Sequence, residues 1–174
     1  MKNSLFREMI RPVLVLTLIC LAAAALLGAV NKVTAPIIEE NALQKAQETR
    51  RQVLPGAGNF TEIDCDKEAL DITGAFREEN GLGYVISSSH KGYGGQVVVT
   101  LGLSPEGEIL GISVDVSTET TGVGSKAGRE DYLSRYIGLS GSADQVDTIS
   151  GATYSSAAVK SGVQAALAAF EAIK

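Results

Sequence analysis

A long apolar segment, residues 13–30, begins close to the N-terminus and contains no charged side chain. As a helix it would extend about 27 Å, close to the roughly 30 Å hydrocarbon core of a bilayer. Lys2, Arg7 and Arg11 precede the segment, with Glu8 as the only acid before it. The positive-inside bias therefore predicts a transmembrane anchor whose N-terminus lies in the cytoplasm.

A cleaved signal peptide is the alternative interpretation of this segment. Arg11 would supply its basic end, and residues 22–25 would supply small side chains for cleavage. However, the apolar part of a signal peptide usually runs about 7 to 15 residues, which is shorter than this segment. We therefore expect a single-pass anchor in the cell (inner) membrane, with the rest of the chain on the extracytoplasmic side.

Helical spacing of apolar positions continues beyond the anchor. Thr34 is placed to cap a helix with Pro36 in its first turn. The spacing continues to Val53, where Leu-Pro-Gly at residues 54–56 stops it. The predicted segments are an anchor with its cytoplasmic N-terminus (residues 1–32), a connecting helix (residues 33–56) and an extracytoplasmic domain (residues 57–174).

In the remaining part of the chain the period changes to short apolar runs separated by turn residues, which indicates β-strands. The candidate strands are residues 72–77, 83–88, 96–103 and 109–117. Short connections favour antiparallel pairing, and Pro105 and Gly107 suit a tight turn between the last two strands. With helices predicted over 130–137 and 154–173, the fold class is α+β, with a mainly antiparallel sheet flanked by helices.

Composition and charge exclude several classes of protein. The chain has 174 residues, with two cysteines far apart and a single histidine. Neither a disulfide framework nor a Cys/His metal site is therefore predicted. Residues 33–174 contain 11 basic and 19 acidic side chains. Such an acidic domain does not suit nucleic acid or an anionic lipid surface.

Two short motif matches carry little weight. Residues 122–127 satisfy G-x-G-x-x-A, but the surrounding sequence lacks the βαβ pattern of a dinucleotide-binding fold. Residues 88–91 satisfy S-x-x-K without the companion motifs of a serine hydrolase. His90 is expected to be a solvated turn residue and not a catalytic base. No catalytic residue is predicted in this chain.

The most informative segment is residues 147–156, which contains five Ser or Thr side chains directly before the last predicted helix. A helix N-terminus presents unpaired N–H groups and a partial positive charge, which together stabilise a bound phosphate. Ordinary N-capping by Ser155 or Ser156 would account for the same pattern. The residues by themselves leave capping and anion binding equally open.

This segment resembles the flavinylation motif D-x-x-[ST]-G-A-T of the FMN-binding domain family, through Asp147, Ser150, Gly151, Ala152 and Thr153. Further features agree in order: the anchor, the Leu-Pro-Gly helix end, Gly-Tyr-Gly-Gly at 92–95 and Thr-Glu-Thr-Thr-Gly-Val-Gly at 118–124. Together they resemble the G subunits of Rnf ion-translocating ferredoxin:NAD oxidoreductases, which are related to the C subunit of the sodium-pumping NADH:quinone reductase. Thr121 stands where that family usually has Pro.

The resemblance implies FMN as the cofactor, joined by a phosphodiester to the side-chain oxygen of Thr153. It also implies that a flavin transferase reads Asp147 during attachment. The residues expected around the phosphate are Ser150, Gly151, Ala152, Tyr154 and Ser155. The residues expected near the isoalloxazine ring are Glu119, Thr120, Gly122 and Gly124. A tight turn is the alternative for the two glycines, and the role of Tyr93 is left open between flavin contact and core packing.

The function implied by this resemblance is that of a membrane-anchored flavoprotein subunit. Its covalent FMN would relay electrons within an ion-pumping ferredoxin:NAD oxidoreductase complex, and the chain would be inactive alone. Its partners would be the other membrane and soluble subunits of that complex, and a flavin transferase during maturation. The alternative is a membrane-tethered ligand-binding or sensory module without covalent flavin.

Overall fold

The computed structural model describes the backbone of residues 2–174 and the side chains of residues 10–174. The predicted charge bias at Lys2 and Arg7 concerns side chains outside that part. The chain divides into two compact units, Met1–Ala46 and Gln47–Lys174. The last turns of the first helix therefore belong to the second unit.

Helix α1 runs without interruption over Lys2–Val53, with Pro12 and Pro36 inside it. Its stretch Ile10–Val53 is long and apolar enough to cross a membrane, with a mean hydropathy of 2.8 in its most apolar window. The predicted helix start at Thr34 is wrong. The Thr34 hydroxyl instead donates to the Val30 carbonyl at 3.0 Å, so it bonds back to the preceding turn and does not begin a new helix.

The second unit contains one five-stranded antiparallel sheet in which neighbours in sequence are neighbours in space. Its strands are β1 (Phe60–Glu62), β2 (Gly74–Glu78), β3 (Tyr84–Lys91), β4 (Gln96–Leu103) and β5 (Ile109–Asp115). A hairpin turn after Leu103 is confirmed, because Gly107 adopts φ +90° and its N–H donates to the Ser104 carbonyl. The predicted α+β class with an antiparallel sheet is confirmed.

Three helical segments follow the sheet: a 3₁₀ helix (Gly124–Gly128), α2 (Glu130–Leu133) with a further 3₁₀ turn (Ser134–Tyr136), and α3 (Thr153–Ile173). Helix α3 covers one face of the sheet, and its Val159, Val163 and Leu167 are buried in the main core with Val99 and Leu101 of β4. The apolar spacing along α3 therefore fixes which face of the helix is buried. At its N-terminus, the first two residues, Thr153 and Tyr154, are exposed.

The opposite face of the sheet receives the end of α1. Val53 and Leu54 are buried there with Val85. Gly102 of β4 and Gly111 of β5 pair with each other, and a Cβ atom on either would overlap the Val53 carbonyl group. The two glycines thus allow the helix end to lie directly on the sheet.

Candidate functional site

The N-terminus of α3 has free hydrogen-bond donors. Among the side chains of residues 10–174 none caps it, and Ala152 occupies the N-cap position. Ser156 N–H donates to the Ala152 carbonyl, whereas the N–H groups of Thr153, Tyr154 and Ser155 have no acceptor in the part of the chain that the structure describes. Three free N–H donors and the positive end of the helix dipole therefore lie together at this helix start.

The two serines that could have capped this helix are engaged elsewhere. The Ser156 hydroxyl accepts from Ile149 N–H at 2.9 Å and donates to the Ala152 carbonyl at 2.9 Å. The Ser155 hydroxyl donates to Oε2 of Glu119 at 2.8 Å. The capping alternative is therefore wrong, and the N–H donors of this helix start stay available to an acceptor such as an anion.

Thr153 is the first residue of α3 and its side chain is exposed. Its hydroxyl has no hydrogen-bond partner among the residues from 10 to 174. Ser150 and Asp147 are also accessible in the loop before the helix. Gly151 turns the chain there with φ +78°, whereas the Ala152 side chain is buried. The loop thus presents a solvent-accessible hydroxyl at the start of α3.

Glu119 lies below this surface and is only 7% exposed. Its carboxylate accepts from Gly94 N–H at 3.3 Å, from Gly95 N–H at 3.4 Å and from the Ser155 hydroxyl. It therefore joins the 92–95 turn to the start of α3. Glycines make room for it, since a Cβ on Gly92 or Gly124 would overlap the carboxylate.

The protonation state of Glu119 follows from these contacts. Burial acts to raise its pKa, but the hydrogen bonds from Ser155, Gly94 and Gly95 outweigh burial and hold the pKa below its ordinary value. The ionised carboxylate therefore stabilises the fold above the unfolded-state pKa of about 4.3. That contribution is lost as the pH falls through the lower pKa of the folded state.

The loop that follows Glu119 is a compact turn. Val123 N–H donates to the Thr120 carbonyl at 3.1 Å, and Gly122 N–H donates to the Ser125 hydroxyl at 2.9 Å. Gly122 has φ +82°, a conformation that other residues rarely adopt. Thr120 and Gly122 are exposed, whereas Gly124 is buried against Glu119 and Ser155. Of the four residues expected near the flavin ring, Glu119 and Gly124 therefore lie together with Ser155, whereas Thr120 and Gly122 lie on the surface.

Tyr93, whose role the sequence left open, lies on the surface and not in the core. Its side chain is 65% exposed and that of Tyr154 is 74% exposed. Their ring centroids are 6.4 Å apart with an interplanar angle of 42°. The exposure of Tyr93 could have been predicted from its position between glycines, because glycines have no side chains that would cover the ring. The role of the Gly94 and Gly95 N–H groups carried no signal in the sequence.

The prediction that His90 is a solvated turn residue is wrong. It lies in β3, its side chain is 15% exposed, and its Nδ1 is 3.7 Å from the Asp71 carboxylate. The nearby Ser88 hydroxyl is buried and donates to the Gly162 carbonyl at 3.0 Å. Residues 88–91 are therefore strand residues engaged in packing and hydrogen bonding, which argues against a serine nucleophile.

Comparisons with known proteins agree with this geometry. An FMN-binding domain matches residues 92–168, a range that contains the glycine turn, Glu119 and the start of α3. The RnfG N-terminal region matches residues 1–53.

Relatives that align with this chain over most of their length give the family. The G subunit of the Na(+)-translocating ferredoxin:NAD(+) oxidoreductase complex of Acetobacterium woodii is 32% identical, over 91% of this chain and 89% of its own. The G subunit of the proton-translocating ferredoxin:NAD(+) oxidoreductase complex of Clostridium ljungdahlii is 25% identical, over 87% and 86%. The G subunit of the ion-translocating oxidoreductase complex of Methanosarcina acetivorans is 27% identical, over 92% and 94%. The chain therefore belongs to the family of G subunits of ion-translocating oxidoreductase complexes and contains an FMN-binding domain.

Proposed function

We propose that this chain carries FMN covalently, through a phosphodiester between the FMN phosphate and Oγ1 of Thr153. The observation that supports it is the combination of an exposed, unpartnered hydroxyl with three free N–H donors at the same helix start. A phosphodiester keeps one negative charge. Donors of this kind and the helix dipole stabilise such a charge.

The neighbouring residues have defined parts in this proposal. The accessible Ser150 hydroxyl is a further donor for a phosphate oxygen. Gly151 and Ala152 let the backbone approach the phosphate, and Tyr154 and Ser155 contribute helix N–H groups. Asp147 is exposed in the same loop, where a flavin transferase can reach it.

The loop after β5 supplies the surroundings of the flavin ring. Thr120 and Gly122 are exposed and available for contact with the ring. Glu119 and Gly124 are buried beneath them, so they act through the shape of the loop. The covalent tether makes the ring a local ligand at high effective concentration, so a few weak contacts suffice to bind it.

The proposed role of the chain is electron relay within a multisubunit complex. Bound FMN supplies the redox chemistry, and the protein supplies position and electrostatics. The relatives from Acetobacterium woodii and Clostridium ljungdahlii are subunits of ferredoxin:NAD(+) oxidoreductase complexes. We assign this chain the same role among partner subunits, with an anchor in residues 1–32, a connection in 33–56 that is formed by the continuation of α1 up to Val53, and the flavin domain in 57–174.

Covalent attachment is tested by denaturation. The full chain, produced together with a flavin transferase, should retain yellow-green flavin fluorescence on a denaturing gel, because a phosphodiester survives unfolding. Chain produced without the transferase is the control and should run dark. Flavin that is released with the fold would instead support the ligand-binding module and overturn the covalent proposal.

Topology is a separate prediction. Since basic residues are concentrated before residue 13, residues 33–174 should lie outside the cytoplasm with α1 retained as the anchor. Protease added to right-side-out vesicles should digest the flavin domain, and protease added to inverted vesicles should leave it intact. The opposite protection pattern, or a mature N-terminus after Ala25, would contradict this orientation.

A further inference from the structure

We propose that Tyr93 and Tyr154 together form the contact surface for the isoalloxazine ring, and that Glu119 is the positioning residue that holds them side by side. This inference rests on the proposed attachment of FMN to Thr153. It places the isoalloxazine ring against two side chains, one in the 92–95 turn and one in α3. It also explains why the buried Glu119 carboxylate joins these two segments.

The surroundings of the five tyrosines distinguish this pair from the others. Tyr132 and Tyr136 are buried, and their hydroxyls lie 2.8 Å apart. Tyr84 packs edge-on against Phe170 in the core. Tyr93 and Tyr154 keep most of their ring surface in water, directly beside the proposed attachment residue. An aromatic ligand placed on them would remove apolar surface from water without disturbing the core.

The hydrogen bonds of Glu119 explain why the two rings lie together. Its carboxylate binds Gly94 and Gly95, which follow Tyr93, and the hydroxyl of Ser155, which follows Tyr154. One side chain thus joins the residues adjacent to both tyrosines. Hydrogen bonds to an ionised acceptor are the stronger kind, so Glu119 holds together the two backbone segments that carry the rings before any ligand arrives.

Flavin fluorescence tests the ring contact, because a tyrosine ring touching a flavin quenches its emission. The sample is the full chain in detergent with FMN on the Thr153 peptide verified by mass spectrometry. Tyr93→Leu and Tyr154→Leu should each increase the emission and lower its anisotropy, since the ring loses a stacking partner. Tyr93→Phe should keep the anisotropy of the native chain, because the ring is preserved. Tyr84→Phe is the control and should change neither quantity.

The positioning role of Glu119 is tested with a matched pair of buried carboxylates. Glu78 is also buried and accepts backbone N–H groups from Gly58, Asn80 and Leu82. Glu119→Gln should raise emission and lower anisotropy as the tyrosine variants do, whereas Glu78→Gln should leave both at native values. Ser155→Ala removes one of the bonds to Glu119 and should give a smaller change in the same direction.

The outcomes separate the two proposals. Native emission and anisotropy in both leucine variants, with FMN still on Thr153, would place the ring elsewhere and overturn the tyrosine contact alone. Equal behaviour of Glu119→Gln and Glu78→Gln would overturn the positioning role. Absence of FMN from the native chain, seen by mass before any fluorescence is measured, would overturn the proposed function and with it this inference.

Discussion

Thr153→Ala should remove the entire mass of FMN less one water from the chain, as measured by mass spectrometry of the peptide that contains residue 153. The reason is that the substitution deletes the only atom on which we place the ester bond. The exposed hydroxyl has no hydrogen bond in the described part of the protein. The free energy of unfolding should therefore change by no more than about 0.5 kcal/mol.

Thr148→Ala is the matched control for this experiment, because it deletes an exposed threonine hydroxyl in the same loop and should leave the flavin in place. In a complex assembled with Thr153→Ala, the other subunits should be present while electron flow coupled to ion transport is lost. Covalent flavin retained at Thr148 or Ser155 would show that the attachment residue is misassigned. A complex that lacks this flavin but works at the native rate would contradict the relay.

Gly102→Ala should destabilise the flavin domain strongly. The added Cβ would overlap the Val53 carbonyl, which is backbone and cannot move aside by rotating a side chain. Either the end of α1 or the sheet must shift. Overpacking of this kind typically costs about 1–3 kcal/mol. Chemical denaturation of the full chain in detergent, followed by the circular dichroism of the sheet, should show a lower midpoint.

Gly58→Ala is the corresponding control, since a Cβ there would meet its nearest atoms at ordinary contact distances of 3.8 and 3.9 Å. Its midpoint should stay near that of the native chain. Gly111→Ala adds a Cβ that overlaps the same carbonyl from β5, so it should behave like Gly102→Ala. If both variants unfold at the native midpoint, the contact between Val53 and the sheet does not stabilise the domain.

Several features could be predicted because they depend on neighbours in sequence. The apolar helix at the N-terminus follows from a run without charge, and strands β3 to β5 follow from alternating apolar segments bounded by turn residues. The start of α3 was predicted within one residue, from a hydroxyl-rich loop before an apolar helical pattern. The same loop, through its resemblance to a flavinylation motif, indicated the cofactor that the FMN-binding domain match supports.

Other features could not be predicted because they depend on residues distant in sequence. Strand β1 has three residues and pairs with β2 across a turn-rich stretch, so its own pattern is too short to indicate a strand. His90 looked like a turn residue beside glycines, but pairing with Val97 makes it part of β3. In each case a partner strand decided the conformation.

The sequence by itself thus determined the apolar N-terminal helix, the fold class and the loop that leads to the start of α3 at Thr153. Only the tertiary structure decided that Glu119 faces inward, that Ser155 serves this carboxylate and not the helix cap, and that Tyr93 lies beside Tyr154. The physical reason is that neighbouring residues in the sequence determine only local structure, such as a helix, a strand or a turn. The partner of a hydrogen bond between residues 36 positions apart, as in Ser155 and Glu119, is fixed only when the sheet and α3 pack together.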